Sequence, residues 1–322
     1  MKPYVFISRK LPDEAIAILK EKYDVHMWEQ EDAAVPYEVF LEETKKADAL
    51  LTMLSEPVNE DVLKAGEKLK IVANMAVGYD NIDVKAASRL GVTVTNTPNV
   101  LNDSTADLTF ALVLAAARRM VEASEFVKEG NWKSWSPFLL AGQDVHHKTI
   151  GIVGMGNIGK TVAKRATGFE MEILYHNRSR KHDAEQELGA KYASFKELLE
   201  RSDFVVCMTP LTEETRNLFN RNAFKKMKQQ AVFVNASRGP VVNEHDLYEA
   251  LVEGEIAAAG LDVFAEEPIG SDHPLLGLKN VVAMPHIGSA SMETRFAMMK
   301  LCVENIDLVL SGNAPKTPVN KK

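Results

Sequence analysis

The sequence has few cysteines and no apolar segment long enough to cross a bilayer. Its two cysteines, Cys207 and Cys302, offer no metal-ligand spacing, and we interpret both as small buried residues that stay reduced. The longest apolar run, FALVLAAA at residues 110–117, is far shorter than a bilayer-crossing helix. The N-terminus, MKPYVFISRK, has no apolar core of a secretion signal. We therefore expect a cytoplasmic protein that does not use the membrane as a partner.

The chain also lacks an excess of basic residues. It carries 38 Lys and Arg against 45 Asp and Glu, which gives a formal net charge of −7 and a pI near 5.7. Binding to nucleic acid needs a basic face to neutralise phosphates, so the charge balance argues against a nucleic-acid partner. An anionic small substrate would have to be attracted by a local positive charge.

What the sequence does have is a large apolar fraction arranged in short runs. With 322 residues and 46% hydrophobic residues, the chain is long enough for two domains. Short β-rich runs alternate with stretches of helical spacing, first from YVFIS to TVTNT and then from KTIGIVG to NVVAMPH. This alternation is typical of βαβ units. The predicted fold class is therefore α/β, with two doubly wound parallel-sheet domains.

Two helical segments flank the second series. An apolar helix is predicted from Ser104, which can act as its N-cap, to Arg118 and Arg119. Its apolar residues surround the helix, which indicates burial between other elements. The final segment, residues 291–312, follows the second series without a seventh strand, so it is free to pack elsewhere.

A glycine motif opens the second series. Gly154, Gly156 and Gly159 have the spacing GxGxxG between an apolar strand and a helical pattern. The first glycine permits a tight turn, the second lets a pyrophosphate approach the backbone, and the third allows the helix to pack closely on the strand. Such motifs also occur as ordinary turns, but this context favours dinucleotide binding.

The end of the next predicted strand bears on which dinucleotide is bound. A site for NAD usually has an acid there, which accepts hydrogen bonds from the ribose 2′-hydroxyl. This chain has Asn177 instead, followed by Arg178, Ser179 and Arg180, and guanidinium groups suit a 2′-phosphate. Asp183 is too far along the chain to replace the missing acid. The pattern favours NADP(H), with a solvated basic turn beside a ribose site that also takes NAD(H) as the alternative.

Three later strands are each followed by one side chain suited to chemistry. Arg238, Glu267 and His286 come after the runs AVFVNAS, AAAGLDV and NVVAMP. Each of them alone could be an ordinary surface residue, but parallel strands bring all three to one edge of the sheet. An imidazole beside a carboxylate can act as a general acid, and an arginine can hold a carboxylate and polarise a carbonyl.

Four motifs now point to a family. In order, GMGNIG, NASRGPVVNE, GLDVFAEEP and PHIGSAS resemble the D-isomer-specific 2-hydroxyacid dehydrogenases, over nearly the whole chain. The nearest likeness is to the branch of glyoxylate/hydroxypyruvate reductases and 2-ketogluconate reductases. The resemblance implies that Arg238 binds the substrate, that His286 is the acid/base, and that Glu267 pairs with His286.

The resemblance also implies a domain plan and further site residues. A flavodoxin-like substrate domain would comprise residues 1–100 and 290–322, with a Rossmann cofactor domain, residues 101–289, inserted into it and closing over the substrate. The substrate carboxylate would meet the backbone N–H groups of Val77 and Gly78, with Ser55 and Asn99 nearby. The implied cofactor residues are Gly154, Met155, Gly156, Asn157, Ile158, Gly159, Asn177, Arg178, Ser179, Thr105, Thr209, Pro210, Ala236, Asp262 and Gly288.

The implied activity is NADPH-dependent reduction of a short 2-oxo acid, namely glyoxylate, hydroxypyruvate or 2-ketogluconate, to the D-2-hydroxy acid. No metal ion is expected to take part. The segment from Ser104 to Ala141 resembles the arm through which the family dimerises, so a homodimer is expected, with Trp135 or Phe138 reaching the neighbouring subunit. The alternative is a dinucleotide-sensing regulatory protein of the same fold, since the family includes transcriptional corepressors with the same three side chains.

Overall fold

The computed structural model describes residues 2–320, which fold as two compact units. The first unit combines the chain up to Leu101 with the segment from Ala290 onward, and the second is Asn102–Ser289. Each unit is an open parallel sheet with helices packed on it. The predicted α/β class with two parallel-sheet domains is therefore confirmed.

The first unit contains five parallel strands in the order β2-β1-β3-β4-β5. Their bounds are β1 Tyr4–Ile7, β2 Asp24–Met27, β3 Ala49–Thr52, β4 Ile71–Asn74 and β5 Thr93–Thr95. The central strands β3 and β4 are buried along their whole length, as expected for strands covered on both faces. This strand order changes direction between β1 and β3, and ligands of open α/β sheets bind at the carboxyl ends of strands at such a point.

Four helices connect these strands. They are α1 Ala17–Lys22, α2 Tyr37–Lys46, α3 Glu60–Ala65 and α4 Val84–Arg89. Side-chain caps set the start of the last two, because Asn59 accepts a hydrogen bond from the Val62 N–H (3.0 Å) and Asp83 accepts one from the Ala86 N–H (2.8 Å).

The second unit contains seven parallel strands in the order β12-β11-β10-β9-β6-β7-β8. Their bounds are β6 Thr149–Val153, β7 Glu172–His176, β8 Lys191–Tyr192, β9 Phe204–Cys207, β10 Val232–Asn235, β11 Ala258–Leu261 and β12 Val281–Ala283. Six of them correspond to the predicted apolar runs. The seventh, β8, has two exposed residues at the sheet edge, which is too short to leave an apolar pattern in the sequence.

Seven helices belong to this unit. They are α5 Asn102–Ala117, α6 Met120–Lys128, α7 Asn157–Thr167, α8 His182–Leu188, α9 Phe195–Arg201, α10 Arg221–Phe224 and α11 Glu244–Val252. The predicted apolar helix is α5, which packs on α7, β10 and β11. It begins at Asn102, so the expectation that Ser104 is its N-cap is wrong: Ser104 lies inside the first turn.

The last helix, α12 Met292–Leu310, returns to the first unit. It packs against β4 and against the short 3₁₀ turn before α1, and it buries Met298, Cys302 and Ile306. The chain then runs along β5, where the Val319 N–H donates to the Val94 carbonyl (2.8 Å). Across residues 2–320, no helix is both long and apolar enough to span a membrane.

Candidate active site

The second sheet changes direction between β6 and β9, and the loops that follow these two strands touch. A Cβ on Gly154, after β6, would lie 2.5 Å from the carbonyl carbon of Met208 and 2.6 Å from the backbone nitrogen of Thr209. Only glycine permits this approach, and its φ of +105° is also one that other residues rarely adopt. The predicted cofactor residue Thr209 therefore lies beside the glycine loop, and Pro210 follows it in the chain.

The other two glycines have different surroundings. A Cβ on Gly159 would lie 2.2 Å from the Gly154 carbonyl oxygen, so the start of α7 is packed directly on the loop. A Cβ on Gly156 would meet nothing within 4 Å, which leaves open space beside the backbone at the N-terminus of α7. An exposed helix N-terminus with room at its glycine fits the pyrophosphate of a dinucleotide. The exposed Asn157 and half-buried Ile158 complete this first turn.

The residues after β7 divide into two groups. The Asn177 side-chain oxygen accepts a hydrogen bond from the Met155 N–H (2.9 Å), which fixes Asn177 against the glycine loop and leaves its NH₂ group as a donor. Arg178 and Ser179 are exposed, and within residues 2–320 the Arg178 guanidinium has no ion-pair partner. Arg180, in contrast, is held by Glu185 through two hydrogen bonds (2.9 and 3.0 Å).

Glu185 accepts hydrogen bonds from two side chains near this turn. The hydrogen bonds from Arg180 and from the Tyr175 hydroxyl lower the pKa of Glu185 to about 2. The expectation that both guanidinium groups are available for a phosphate therefore needs correction, because Arg180 is already paired. Asp183 pairs with Lys160 (2.8 Å), in keeping with its exclusion as a ribose acceptor.

The two side chains expected to pair at the carboxyl edge, His286 and Glu267, are in contact. His286 Nδ1 lies 2.7 Å from Glu267 Oε2, and the other carboxylate oxygen accepts the Phe264 N–H (2.9 Å). Burial alone would raise the pKa of Glu267, but the hydrogen bond and charge of His286 outweigh it and hold that pKa below its usual range. Since Nδ1 is taken by the carboxylate, Nε2 is the ring nitrogen that remains for a proton transfer.

Asp262 fixes the backbone that carries this histidine. Its two carboxylate oxygens accept the N–H groups of Ile287 and Gly288, both at 2.8 Å, and its side chain is buried. Burial raises the pKa of Asp262. His286 itself has a φ of +54°, in the left-handed region, and its N–H donates to the Asp262 carbonyl (2.9 Å). The predicted residue Thr105 lies against Gly288, where a Cβ would be 3.2 Å from the Thr105 methyl group.

The loop after β10 places Arg238 near the same carboxylate. Asn235 shapes this loop, because its NH₂ group donates to the Arg238 carbonyl (3.0 Å) and its oxygen accepts the Ser237 N–H (3.1 Å). The charge of Arg238 contributes to lowering the pKa of Glu267. Ala236, at the start of the loop, is buried.

The next residue, Gly239, joins this loop to the one that follows β11. A Cβ on Gly239 would lie 1.8 Å from both the carbonyl carbon and the oxygen of Phe264, which no side chain could do without moving that backbone. The loops carrying Arg238 and Glu267 are therefore in direct backbone contact. The structure thus brings the Arg, Glu and His set, Asp262, Thr105 and the glycine loop to one sheet edge.

In the first unit, the predicted substrate residues follow β3, β4 and β5. Asn96 donates to the Val77 carbonyl (2.8 Å) and Asn74 donates to the Gly78 carbonyl (3.0 Å). Among residues 2–320, no acceptor pairs with the N–H groups of Val77 and Gly78. Two adjacent N–H groups whose carbonyls are fixed form a backbone site suited to an anion. Asn99, after β5, has a φ of +71°.

Ser55 has a partner that the sequence did not suggest. Its hydroxyl accepts from Arg9 Nη2 (2.7 Å) and donates to Glu56 Oε1 (2.6 Å), and Arg9 also pairs with Glu56 (3.0 Å). Arg9 follows β1, so this cluster lies where the strand order of the first sheet reverses. Nothing in the local sequence marks Arg9, because the contact joins two loops that lie 46 residues apart.

Neither metal nor thiol chemistry is indicated in the described part of the chain. No group of three or more His, Cys, Asp or Glu side chains within residues 2–320 could hold a metal ion. Cys207 and Cys302 are buried free thiols, and burial raises their pKa values to about 11 and about 12. A thiol that stays protonated is a poor nucleophile, in keeping with the packing role expected for both.

Comparison with known proteins agrees with this geometry. Residues 110–288 match the family model of the D-isomer specific 2-hydroxyacid dehydrogenase, NAD binding domain. The glyoxylate reductase of Korarchaeum cryptofilum is 49% identical over 323 residues, which cover 100% of this chain and 97% of that protein.

Solved structures extend the likeness to the whole fold. The TT0316 protein from Thermus thermophilus superposes with a TM-score of 0.92 at 41% identity, over 98% of this chain and 100% of that one. The NADPH-dependent glyoxylate/hydroxypyruvate reductase of Sinorhizobium meliloti, in complex with NADP and malonate, has a TM-score of 0.87 at 31% identity, over 99% and 97%. The chain therefore belongs to the D-isomer-specific 2-hydroxyacid dehydrogenase family of NAD(P)-dependent oxidoreductases.

Proposed function

We propose that the protein reduces a short 2-oxo acid to the D-2-hydroxy acid with NADPH, and that glyoxylate, hydroxypyruvate and 2-ketogluconate are its candidate substrates. The observation that carries the proposal is the 2.7 Å pair of His286 and Glu267 at the sheet edge that also holds the glycine loop. The names of the similar reductases support glyoxylate and hydroxypyruvate as the first substrates to test.

His286, Glu267 and Arg238 have separate roles in the proposed reaction. A nicotinamide dinucleotide held by the glycine loop (Gly154, Gly156 and Gly159) and by Asn177 would supply a hydride for the carbonyl carbon of the 2-oxo acid. Protonated His286, oriented through Nδ1 by Glu267, gives the proton on Nε2 to the carbonyl oxygen. Arg238 holds the substrate and stabilises the negative charge that develops on that oxygen. One hydride and one proton are added, so the product is the 2-hydroxy acid and oxidised cofactor.

For the first unit we propose that the N–H groups of Val77 and Gly78 bind a carboxylate. Their carbonyls are fixed by Asn96 and Asn74, so the two donors are already oriented before any anion arrives. Preorganised donors do not have to be ordered at the moment of binding, which favours affinity.

The NADP preference rests on Asn177 and Arg178. The Asn177 position carries no charge that would repel a 2′-phosphate, and the Arg178 guanidinium is exposed beside it. The double variant Asn177→Asp with Arg178→Ala should therefore lose its NADPH preference. Asp at 177 can still accept the Met155 N–H, so the glycine loop should keep its shape. Lys196→Ala, which removes one exposed positive charge from α9, is the matched control and should not change the preference.

The test of the activity is the initial rate of NADPH or NADH oxidation with each of the three 2-oxo acids, measured by loss of the reduced-cofactor absorbance. Fast NADPH-dependent oxidation with at least one acid supports the proposal and ranks the substrates. Tight NADPH binding without oxidation of NADPH or NADH in the presence of any of the three acids would contradict the proposal and would favour the dinucleotide-sensing alternative.

We also propose that the protein is a homodimer that uses the segment from α6 to Ala141. This part of the chain exposes large apolar side chains, with Trp135 exposed to 79% and Phe138 to 87%. In addition, α6 has no buried residue. Contiguous exposed apolar residues of this size usually belong to an interface.

A further inference from the structure

Glu244, at the start of α11, contacts the loop that carries Glu267 although it is distant from it in sequence. Glu244 Oε1 accepts a hydrogen bond from the Ala265 N–H at 2.7 Å. Its other oxygen lies 3.4 Å from His273 Nε2, and both side chains are only about one-fifth exposed (19% and 20%). The 2.7 Å hydrogen bond from the Ala265 N–H goes to a carboxylate, and such charge-assisted hydrogen bonds are among the stronger single contacts available to a loop.

His273, which lies beside Glu244, also contacts Phe264 in the loop after β11. The His273 ring meets the Phe264 ring edge to face, with the centroids 5.7 Å apart. Phe264 is buried, and its backbone is the one that Gly239 contacts from the other side. The loop after β11 is therefore held between Gly239 and the Glu244–His273 pair.

This loop sets the direction of the Glu267 carboxylate. The Phe264 N–H donates to Glu267 Oε1, which leaves Oε2 directed at His286. The donor to Glu267 and the donor to Glu244 are consecutive backbone N–H groups, Phe264 and Ala265. A shift of this dipeptide would therefore move the Glu267 carboxylate relative to the imidazole.

We propose that Glu244 is a positioning residue for the reaction: by anchoring the Ala265 N–H, it fixes the loop that aims Glu267 at His286. The proposal rests on the proposed function in that it assumes His286 to be the proton donor. Glu244 has no hydrogen bond or ion pair with His286 itself; Glu267 and Asp262 interact with the charge of the imidazole, and Arg238 interacts with Glu267. Its effect must therefore pass through Glu267.

The test compares Glu244→Ala, which removes the acceptor, with Glu244→Gln, which keeps an oxygen for Ala265 but removes the charge. Glu267→Gln is the reference for complete loss of the carboxylate. For each variant, kcat for 2-oxo acid reduction is measured against pH. At high pH, where the rate of reduction should fall, kcat of Glu244→Ala should be roughly threefold to tenfold lower than kcat of the native chain, as expected for one lost hydrogen bond. The pH profile of Glu244→Gln should stay close to the native profile.

A second comparison separates positioning from general damage to the fold. In a Glu267→Gln background, Glu244→Ala should move the pH profile no further, because the side chain through which it acts is gone. Equal loss of rate at every pH, or the same shift with and without Glu267, would overturn the proposal. If the alanine variant fails to fold, Glu244→Asp repeats the test, because it withdraws the carboxylate from Ala265 by one methylene.

A readout that needs no turnover distinguishes this proposal from the proposed function. Diethyl pyrocarbonate modifies neutral imidazole, and peptide mass mapping reports the modification of His286 separately from the other histidines. In Glu244→Ala, modification of His286 should rise at a lower pH than in the native chain; an unchanged pH dependence would contradict the positioning role. If the native chain reduces none of the 2-oxo acids but this shift is found, the proposed function fails and the positioning of Glu267 stands.

Discussion

Replacing Glu267 by glutamine should change the pH dependence of reduction more than it changes the fold. The carboxylate stabilises the protonated imidazole through the 2.7 Å hydrogen bond to Nδ1, and a glutamine amide cannot match that charge. In the proposed reaction His286 must carry a proton to give to the substrate, so the rate of reduction should fall as the pH rises. Removing the carboxylate should therefore move the falling limb to lower pH.

The size of this shift follows from the exposure of the pair. A hydrogen bond to a charged group contributes about 1.5 to 3 kcal/mol. The two side chains are 29% and 35% exposed, so solvent screening favours the lower end. A loss of about 1.4 kcal/mol corresponds to a factor of ten in an equilibrium constant. At a fixed pH on the falling limb, kcat should then decrease about tenfold.

The assay is kcat for 2-oxo acid reduction across the pH range at saturating NADPH, with Glu266→Gln as the control. Glu266 is the adjacent exposed acid in the same loop and has no part in the pair, so its variant should follow the native profile. The opposite direction gives an internal check, because oxidation needs neutral imidazole and its rising limb should move to lower pH as well. An unshifted limb in Glu267→Gln, with kcat lowered equally at all pH values, would show that the carboxylate does not stabilise the protonated imidazole.

Gly239, Glu185 and the exposed pair Trp135 and Phe138 can each be tested by substitution. Gly239→Ala should destabilise the protein by about 1 to 3 kcal/mol in chemical unfolding and lower kcat, because the new methyl group overlaps the Phe264 carbonyl; native-like stability would contradict the backbone contact. Glu185, with its pKa lowered to about 2, contributes stability above its ordinary pKa that is lost as pH falls toward 2, so the melting temperatures of Glu185→Gln and the native chain should converge on acidification. A pH-independent gap would contradict this. In light scattering the native chain should be a dimer, and the Trp135→Ala, Phe138→Ala variant should be monomeric or weakly dimeric; a dimer in both would show that another surface is used.

The sequence was most informative where a local pattern determines the structure. Apolar runs separated by helical spacing predict the described parallel strands other than β8, because most of these strands are buried and therefore require apolar residues. The glycine loop could also be predicted, because at Gly154 and Gly159 other backbone atoms lie within 3 Å of the place where a Cβ would be. The strand β8 left no such pattern, because two residues at a sheet edge need no burial.

Contacts between distant segments could not be predicted from the sequence. Arg180 has the same local context as Arg178, and only the fold shows that Glu185 holds Arg180 while Arg178 stays exposed. Likewise, Glu244 could be read as a surface acid near Arg238, yet it binds the Ala265 N–H 21 residues away. Such pairings depend on which loops the strand order brings together, and one sequence by itself does not specify them.

The most direct test of His286 as the proton donor is the turnover of His286→Ala with NADPH and the best 2-oxo acid, measured together with the Kd for NADPH. If His286 is the general acid, kcat should fall by about 10²- to 10⁴-fold while NADPH binding stays nearly unchanged. Turnover close to that of the native chain would contradict the role of His286 and, with it, the proposed chemistry of the site.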